Sequence, residues 1–313
     1  MSVELAPTPP SPLTARLAKG WARMKRNHIG FVIMALGPVL ALFVLIRFYP
    51  IAETIRLSFY NYHITKRSNP FVGLSNYAFL LEDASFHDAL LNTIIFSVFA
   101  VICTLALALA CAILLRSIEK MAPAFELLFY IPVVTPWVPA SVIWKWIFDP
   151  MHGALNYALS FFGVPRIGWL QHPTLILFAL VVVSVWKMVG YFIVIFGVGL
   201  RAIPEEVLEA ADLDGATPWR KLTRIILPLM KPILLFSVVT CTIINFNVFA
   251  PVYVLTASAQ GAPAYDLKVL VGEIYSNGFV FYQMGYAGAQ SVVLLAFVMS
   301  LLLVQFLAFR EKA

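Results

Sequence analysis

Long apolar runs constrain this chain more than any other feature of its sequence. Six stretches reach about 18 residues or more, the length of helix that crosses a hydrocarbon core of roughly 30 Å. Charged residues make up 12% of the 313 residues, whereas a soluble domain carries about a quarter. The pattern predicts an all-α membrane protein with six transmembrane helices. They fall at about residues 29–46, 90–115, 125–147, 175–200, 233–255 and 285–309.

The placement of basic residues predicts how the chain is oriented. About twice as many Lys and Arg residues fall in the connections that this topology places inside the cell, which is the positive-inside bias. Both termini are therefore expected to be cytoplasmic. The net charge of +6 is spread over these connections and forms no single patch. We therefore expect membrane lipid, and not nucleic acid, as the surrounding partner.

Proline and glycine divide the chain further. Residues 1–28 are expected to form a partly disordered cytoplasmic tail, because their first half is rich in proline and poor in apolar residues. Residues 29–313 are expected to form one six-helix transmembrane domain. Gly37 and Pro38 predict a kink in the first helix, and the prolines of the third run predict a distorted or broken helix. Those prolines are Pro132, Pro136 and Pro139.

One charged island, residues 201–231, separates the fourth and fifth apolar runs. Pro204 suits the first position of a helix, and Glu205 and Glu206 suit the positive end of its dipole. That helix is expected to end near Leu213, where Asp214 and a left-handed Gly215 follow. Thr217 and Pro218 predict a second helix start. From the residues alone, a docking surface and a solvated inner loop are equally good interpretations.

The island resembles the EAA loop of inner-membrane permease subunits of binding-protein-dependent ABC transporters. The matching residues occupy every fixed position of that motif at the right spacing: Glu209-Ala210-Ala211, Gly215, Ile225, Leu227 and Pro228. Further segments resemble the carbohydrate-type permeases, in particular the first, maltose- and glycerol-phosphate-type subunit. They are Phe71–Tyr77, Gly153–Asn156 with Leu159, Tyr275 and Gly285–Tyr286. The resemblance covers the chain from about residue 30 to its carboxyl end.

The resemblance implies a type I ABC importer permease fold in the bacterial inner membrane. It also implies three kinds of protein partner: a second permease subunit, a dimer of cytoplasmic ATPase subunits and an extracytoplasmic substrate-binding protein. The chain has no GxxxxGK[ST] phosphate loop, so we expect no enzyme activity and no bound cofactor, with ATP-Mg used by the partner ATPase. The residues expected to couple to the ATPase are Glu205, Glu206, Glu209, Ala210, Ala211, Asp214, Gly215, Leu227 and Pro228.

Polar residues within the fourth and fifth runs are candidates for contact with a transported solute. Three- and four-residue steps place each set on one helix face. The resemblance implies that these positions line the solute site, for a sugar, polyol or glycoside. Cys241 and Val248 replace polar residues of the maltose-type subunit, so maltose itself is not expected. The full set is Ser184, Lys187, Met188, Tyr191, Cys241, Asn245, Asn247 and Val248.

Lys187 is the most distinctive of these residues, because an ammonium at mid-membrane depth costs a few kcal/mol unless it is paired or solvated. One hypothesis pairs it with an acidic residue of the partner permease or with water in the translocation cavity. The other gives it an anionic substituent of the solute to bind, such as a phosphate, sulfonate or carboxylate.

Two other classes of function deserve comparison. An ion-coupled secondary transporter is the main alternative, but that class favours acidic residues within its spans and inverted repeats. A membrane-embedded enzyme would need a catalytic constellation, and no nucleophile–base pattern is evident. The five histidines are scattered and the three cysteines lie in apolar runs, so no catalytic or metal site is expected.

Overall fold

The computed structural model describes residue 30 and residues 32–118, 120–257 and 265–309. The predicted tail at residues 1–28 and the last four residues lie outside these ranges. Within them the backbone is helical or irregular, apart from one antiparallel bridge between Tyr60 and Phe71. The helices are α1 Val32–Leu57, α2 Ser75–Glu82, α3 Ala84–Arg116, α4 Ala122–Val134, α5 Trp137–Ile147, α6 Ala154–Ser160, α7 Pro173–Arg201, α8 Glu205–Leu213, α9 Pro218–Leu229, α10 Lys231–Phe246, α11 Ala250–Thr256, α12 Leu270–Tyr275 and α13 Met284–Phe309.

Four of these described helices are long and apolar enough to cross a membrane: α1, α3, α7 and α13. Two bent pairs, α4–α5 and α9–α10, would raise the number of spans to six if each pair crosses once. The described residues separate into two compact units, of which the first ends at Arg56 and the second begins at Leu57. Most of α1 belongs to the first unit, and the remaining helices belong to the second.

The first apolar helix is longer than the sequence predicts. The prediction ended it at about residue 46, whereas α1 continues to Leu57, so the predicted end of the first apolar run is wrong. The backbone passes through Pro38 as helix, and its departure from α geometry is a π turn at Val44–Phe48. Pro50 follows that turn and lacks an N–H to donate to the preceding turn, which accounts for the wider turn there.

The predicted distortion of the third apolar run is a complete break. Helices α4 and α5 meet at Thr135 and Pro136 with a bend of 97°. Both residues have extended backbone angles, as expected for a proline and the residue before it. Pro132 lies inside α4, and Pro139 lies in the first turn of α5, where a missing N–H costs nothing.

The fifth run is not the continuous helix at residues 233–255 that the sequence predicts. Helix α10 ends at Phe246, and α11 begins at Ala250. Pro251 has no N–H to donate to the carbonyl of Asn247, so the helix cannot continue regularly there. The side-chain amide of Asn247 donates back to the backbone carbonyl of Ile243 at 2.7 Å. A second bend, of 76°, separates α9 from α10 at Met230.

Helix α7 is the centre of the second unit, since it packs against α3, α4 and α10. Its side chains contribute to two hydrophobic clusters. The α5 cluster combines Ile176, Leu180 and Val183 of α7 with Trp137 and Trp144 of α5. The α4 cluster combines residues between Val189 and Leu200 of α7 with Phe125 and Phe129 of α4.

Asparagine side chains secure the irregular connections. Asn76 donates to the carbonyls of Ser58 and Tyr60 at 2.7 and 3.0 Å. Asn156 donates to the Ile167 carbonyl at 2.9 Å and accepts from the Trp169 indole at 3.0 Å. These two asparagines belong to segments that resemble the carbohydrate-type permeases, and here they organise the backbone of the loops.

Candidate coupling surface and solute pathway

The charged island folds into two helices around a glycine turn, as predicted. Pro204 caps α8 from the preceding position, and the first helical residue is Glu205, one residue later than the sequence suggested. Gly215 has a φ of +71°. The amide of Gly215 donates to the Asp212 carbonyl at 3.0 Å, and the amide of Ala216 donates to the Ala211 carbonyl at 2.9 Å. This pair of bonds is a Schellman motif, which ends α8 sharply.

The second helix of the island is fixed to the first by a cap and an ion pair. The Thr217 hydroxyl accepts the backbone N–H of Arg220 at 3.3 Å, and Pro218 occupies the first turn of α9. The Lys221 ammonium lies 2.5 Å from the Asp212 carboxylate and joins α9 to α8. The two helices therefore form one defined surface. We call α8, the turn at residues 214–217 and α9 the coupling element.

Most of the predicted coupling residues are exposed on this element. Ala211 is the exception, since it is 6% exposed and packs into the chain, while its neighbour Ala210 faces outwards. Val207, one turn before Ala211 in α8, is 40% exposed. The exposed members of the predicted set are Glu205, Glu206, Glu209, Ala210, Asp214, Gly215 and Pro228.

Two large apolar side chains extend from the coupling element into open space. Leu213 is 89% exposed and Trp219 is 72% exposed. Exposed apolar side chains beside carboxylates are typical of a surface that binds a protein partner. Leu208 and Ile226, by contrast, pack against the α4 cluster and hold the element to the rest of the unit.

The last two residues of the motif, Leu227 and Pro228, lie at the carboxyl end of α9 and not on α8 or its turn. Leu227 is half-buried and Pro228 is exposed in the last turn of α9, just before the bend at Met230. A π turn at Leu222–Ile226 precedes Pro228, as one precedes Pro50 in α1. These two residues therefore shape the connection between the coupling element and α10.

A cavity of about 850 Å³ lies where the coupling element begins. The ends of α3 and α7 and the start of α4 line it, together with Glu205 and Glu206. On the same lining, the Arg201 guanidinium lies 2.9 Å from the Glu126 carboxylate. This ion pair ties α4 to the last turn of α7.

The predicted solute residues of α7 are unequally accessible. Ser184 is 2% exposed, and its hydroxyl has no hydrogen-bond partner among the described residues. Met188 and Tyr191 are half-buried and pack against the α4 cluster. Tyr191 therefore combines a partly accessible phenol with an apolar face, which suits contact with a hydroxylated solute.

The predicted residues around the end of α10 divide between the two clusters. Cys241 is fully buried in the α4 cluster, and Val248 is buried in the α5 cluster. Asn245 is 3% exposed and donates to the carbonyl of Cys241 at 2.8 Å. Asn247 is exposed at the break after α10. The structure thus brings Met188, Tyr191 and Cys241 to one cluster but leaves Val248 in the other.

Lys187 is buried, at 3% exposed, and its ammonium contacts the broken end of α4. It donates to the backbone carbonyls of Pro132 and Val133 at 2.5 and 2.8 Å and lies 5.4 Å from the centre of the Trp137 ring. Lys145 has comparable contacts at the end of α11, where it donates to the carbonyls of Val254 and Ala257. Sequence reasoning missed these carbonyl acceptors, although the prolines of the third run were a signal of free carbonyls.

Comparison with known proteins agrees with this architecture. The family of binding-protein-dependent transport system inner membrane components matches residues 107–311. The chain is 31% identical over 272 residues to the probable ABC transporter permease protein YurN of Bacillus subtilis, covering 86% of this chain and 92% of that protein. It is 32% identical over 275 residues to the sn-glycerol-3-phosphate transport system permease protein UgpA of Escherichia coli, covering 87% and 92%.

The fold is also found in a solved transporter. It is similar, with a TM-score of 0.75 and 19% identity, to a chain of a bacterial ABC transporter involved in the import of the acidic polysaccharide alginate. The match covers 94% of this chain and 99% of that one. A second structure of an alginate ABC transporter, in complex with a periplasmic protein that holds an alginate pentasaccharide, matches with a TM-score of 0.74. The chain therefore belongs to the binding-protein-dependent transport system inner membrane component family, and it is an ABC transporter permease of the inner membrane.

Proposed function

We propose that this chain is one of two permease subunits of an ATP-driven importer, and that it forms the translocation pathway with the second permease. Cytoplasmic ATPase subunits drive it through the coupling element, and an extracytoplasmic binding protein delivers the solute. The chain itself hydrolyses no ATP. Family membership favours this proposal over the ion-coupled secondary transporter that the sequence left open.

The observation that carries the proposal is the geometry of the coupling element. Its two helices are joined by a Schellman turn at Gly215 and by the Lys221–Asp212 ion pair. Because of these contacts, α8 and α9 would move together when an ATPase subunit displaces either of them. Its outer side presents carboxylates together with Leu213 and Trp219. Its inner side is fixed to the α4 cluster by Leu208, so a displacement of the element acts on the packed helices.

We propose a sugar, a polyol or a related glycoside as the transported solute. Two comparisons support this class: UgpA is named for sn-glycerol 3-phosphate, and the solved transporters import alginate. Both of those solutes carry negative charge, so the proposed class includes solutes with an anionic substituent. Recognition would fall to Met188, Tyr191 and Asn247, the three candidates that are half-buried or exposed.

The test replaces Gly215 with proline in the complete transporter. Proline cannot adopt a φ of +71°, and it removes the amide that donates to Asp212, so the turn cannot form. The tagged chain is purified with its partners from its native membrane, reconstituted into lipid vesicles and assayed for ATP hydrolysis. We expect Gly215→Pro to remain in the membrane but to lose most of the hydrolysis of the wild-type complex.

The chain offers a matched control in Gly163. Its φ is +72°, its amide donates to the Ser160 carbonyl at 3.1 Å, and a side chain there would meet open space, as at Gly215. Gly163→Pro therefore causes the same backbone damage far from the coupling element in sequence, and hydrolysis should stay near the wild-type rate. Wild-type hydrolysis by the Gly215→Pro complex would contradict the proposal.

A further inference from the structure

Lys187 lies at the level where the packing of α7 changes. The α7 residues of the α5 cluster end at Val183, and those of the α4 cluster begin at Met188 and Val189. Helices α4 and α5 divide between the same two clusters, and their break falls between them. A buried ammonium is therefore placed beside the one point where this bent pair changes direction.

The break changes the donors available to two backbone carbonyls. In a continuous helix the carbonyl of Pro132 would accept from residue 136, but Pro136 has no N–H, and the carbonyl accepts the N–H of Thr135 at 3.2 Å in a tighter turn. The carbonyl of Val133 would accept from Trp137, which instead begins α5 in a new direction. The carbonyl of Val133 has thus lost its helix donor, which is costly in the low-dielectric interior of a membrane protein, and both carbonyls lie at the negative end of the dipole of α4.

The Lys187 ammonium supplies both hydrogen-bond donors and a positive charge to these carbonyls. It donates to the Pro132 and Val133 carbonyls, and the face of Trp137 on the other side of the break lies 5.4 Å away. One cation thus contacts both arms of the bent pair. These contacts also offset the cost of burying the ammonium, so it needs no acidic partner from another subunit.

We infer that Lys187 is a positioning residue that holds the break between α4 and α5, and that it is not a ligand for the transported solute. This differs from both hypotheses that the sequence suggested, which were pairing across the permease interface or within the cavity and binding of an anionic substituent. The inference rests on the proposed function and deepens it. The contacts of Lys187 fix the angle between α4 and α5, and this angle determines how one arm of the bent pair can move relative to the other.

The experiment measures the bend directly in the full chain in lipid nanodiscs. Spin labels are placed at Leu128 on α4 and Ile143 on α5, which are 59% and 51% exposed. Genetically encoded keto residues carry the labels, so the three native cysteines stay unchanged. Pulsed electron paramagnetic resonance then gives the distance distribution between the two arms.

Three variants separate the possible outcomes. Lys187→Met removes the donor, so the pair should straighten and the distribution should shift to longer distances and broaden. Lys187→Arg restores donors to the carbonyls, so it should return the distribution towards that of the wild type. Lys145→Met removes a comparable lysine from α5 itself, where it joins that arm to the end of α11 and not to α4, and it should leave the distribution unchanged. A Lys187→Met distribution that superimposes on the wild type, or an equal change in both Met variants, would overturn the inference.

A second measurement needs no variant and decides the matter if Lys187→Met does not fold. The wild-type chain is treated with a small acetylating reagent at neutral pH, and modified lysines are identified by mass spectrometry. A held lysine should stay unmodified until the chain is unfolded in detergent and heat. Rapid modification in the folded chain would show a lysine open to the pathway and would overturn the inference. Neither measurement uses ATP or a solute, so its failure is separate from failure of the proposed transport function.

Discussion

Glu273 is a half-buried carboxyl in α12, outside the helices that span the membrane. Burial raises its pKa above the ordinary value of 4.5, and the nearby Asp83 acts in the same direction, while Lys268 opposes them. The folded chain therefore holds this proton more tightly than the unfolded chain does. The stability that this provides is complete below the unfolded pKa and is lost as the pH rises through the folded pKa.

Replacing Glu273 with glutamine removes this pH dependence. We expect Glu273→Gln to melt at a higher temperature than the wild type at pH 8, with the difference shrinking towards pH 4. The exposed Glu82 gives a control, since Glu82→Gln removes a carboxylate without burial and should change the melting temperature little at either pH. Thermal melting in detergent, followed by intrinsic fluorescence, checks the prediction. A destabilised Glu273→Gln protein at pH 8 would contradict it.

Individual side chains show where sequence reasoning succeeds and fails. Gly215 was predicted in a left-handed turn, because glycine just past the last residue of a helix commonly takes that conformation, and its φ of +71° confirms this. Lys187 was placed correctly on α7, but its acceptors come from Pro132 and Val133, more than fifty positions away in the chain. Local patterns cannot supply such a contact, because it depends on how α4 and α7 pack.

At the scale of helices, α4 and α7 are in contact along their backbones at Gly190. A side-chain carbon there would lie 1.9 Å from the carbonyl oxygen of Phe129, and that backbone atom has little freedom to move. Gly190→Ala should therefore force the two helices apart and destabilise the chain by about 1–3 kcal/mol, the usual cost of overpacking.

Gly197 on the same helix provides the comparison. A side-chain carbon there would meet the ends of Glu126 and Arg201 at 3.3 and 3.4 Å, and these flexible side chains can shift. Alanine also favours the helix over glycine by about 1 kcal/mol, so Gly197→Ala should cost less than Gly190→Ala or should stabilise the chain. Melting temperatures of the two variants in one detergent test this, and equal losses would contradict the packing argument.

The helix breaks were predictable to different degrees. Three prolines in one run made a break between α4 and α5 foreseeable, although not its angle of 97°. The break after α10 was missed, because no charged residue interrupts the run from Ile233 to Leu255 and Pro251 was read as part of it. The absence of charge therefore did not guarantee a continuous helix, and Pro251 was the local signal of the break.

For the whole molecule, composition and the island motif were sufficient to predict the membrane class and the permease family. Family membership and the four long apolar helices confirm that much. The six-span topology, the cytoplasmic termini and the residue roles stay predictions, since they concern the side of the membrane and the partners. These depend on the assembled transporter rather than on the packing of one chain.

We propose that the coupling element faces the ATPase on the cytoplasmic side of the membrane. A photo-crosslinking residue at Leu213, 89% exposed, tests it most directly, with Phe162 in the connection after α6, 84% exposed, as the matched position. After illumination of the assembled transporter in its native membrane, adducts are separated by gel and identified by mass spectrometry. We expect an adduct between position 213 and an ATPase subunit, and none from position 162. An ATPase adduct from position 162, or none from position 213 in a transporter that hydrolyses ATP, would contradict it.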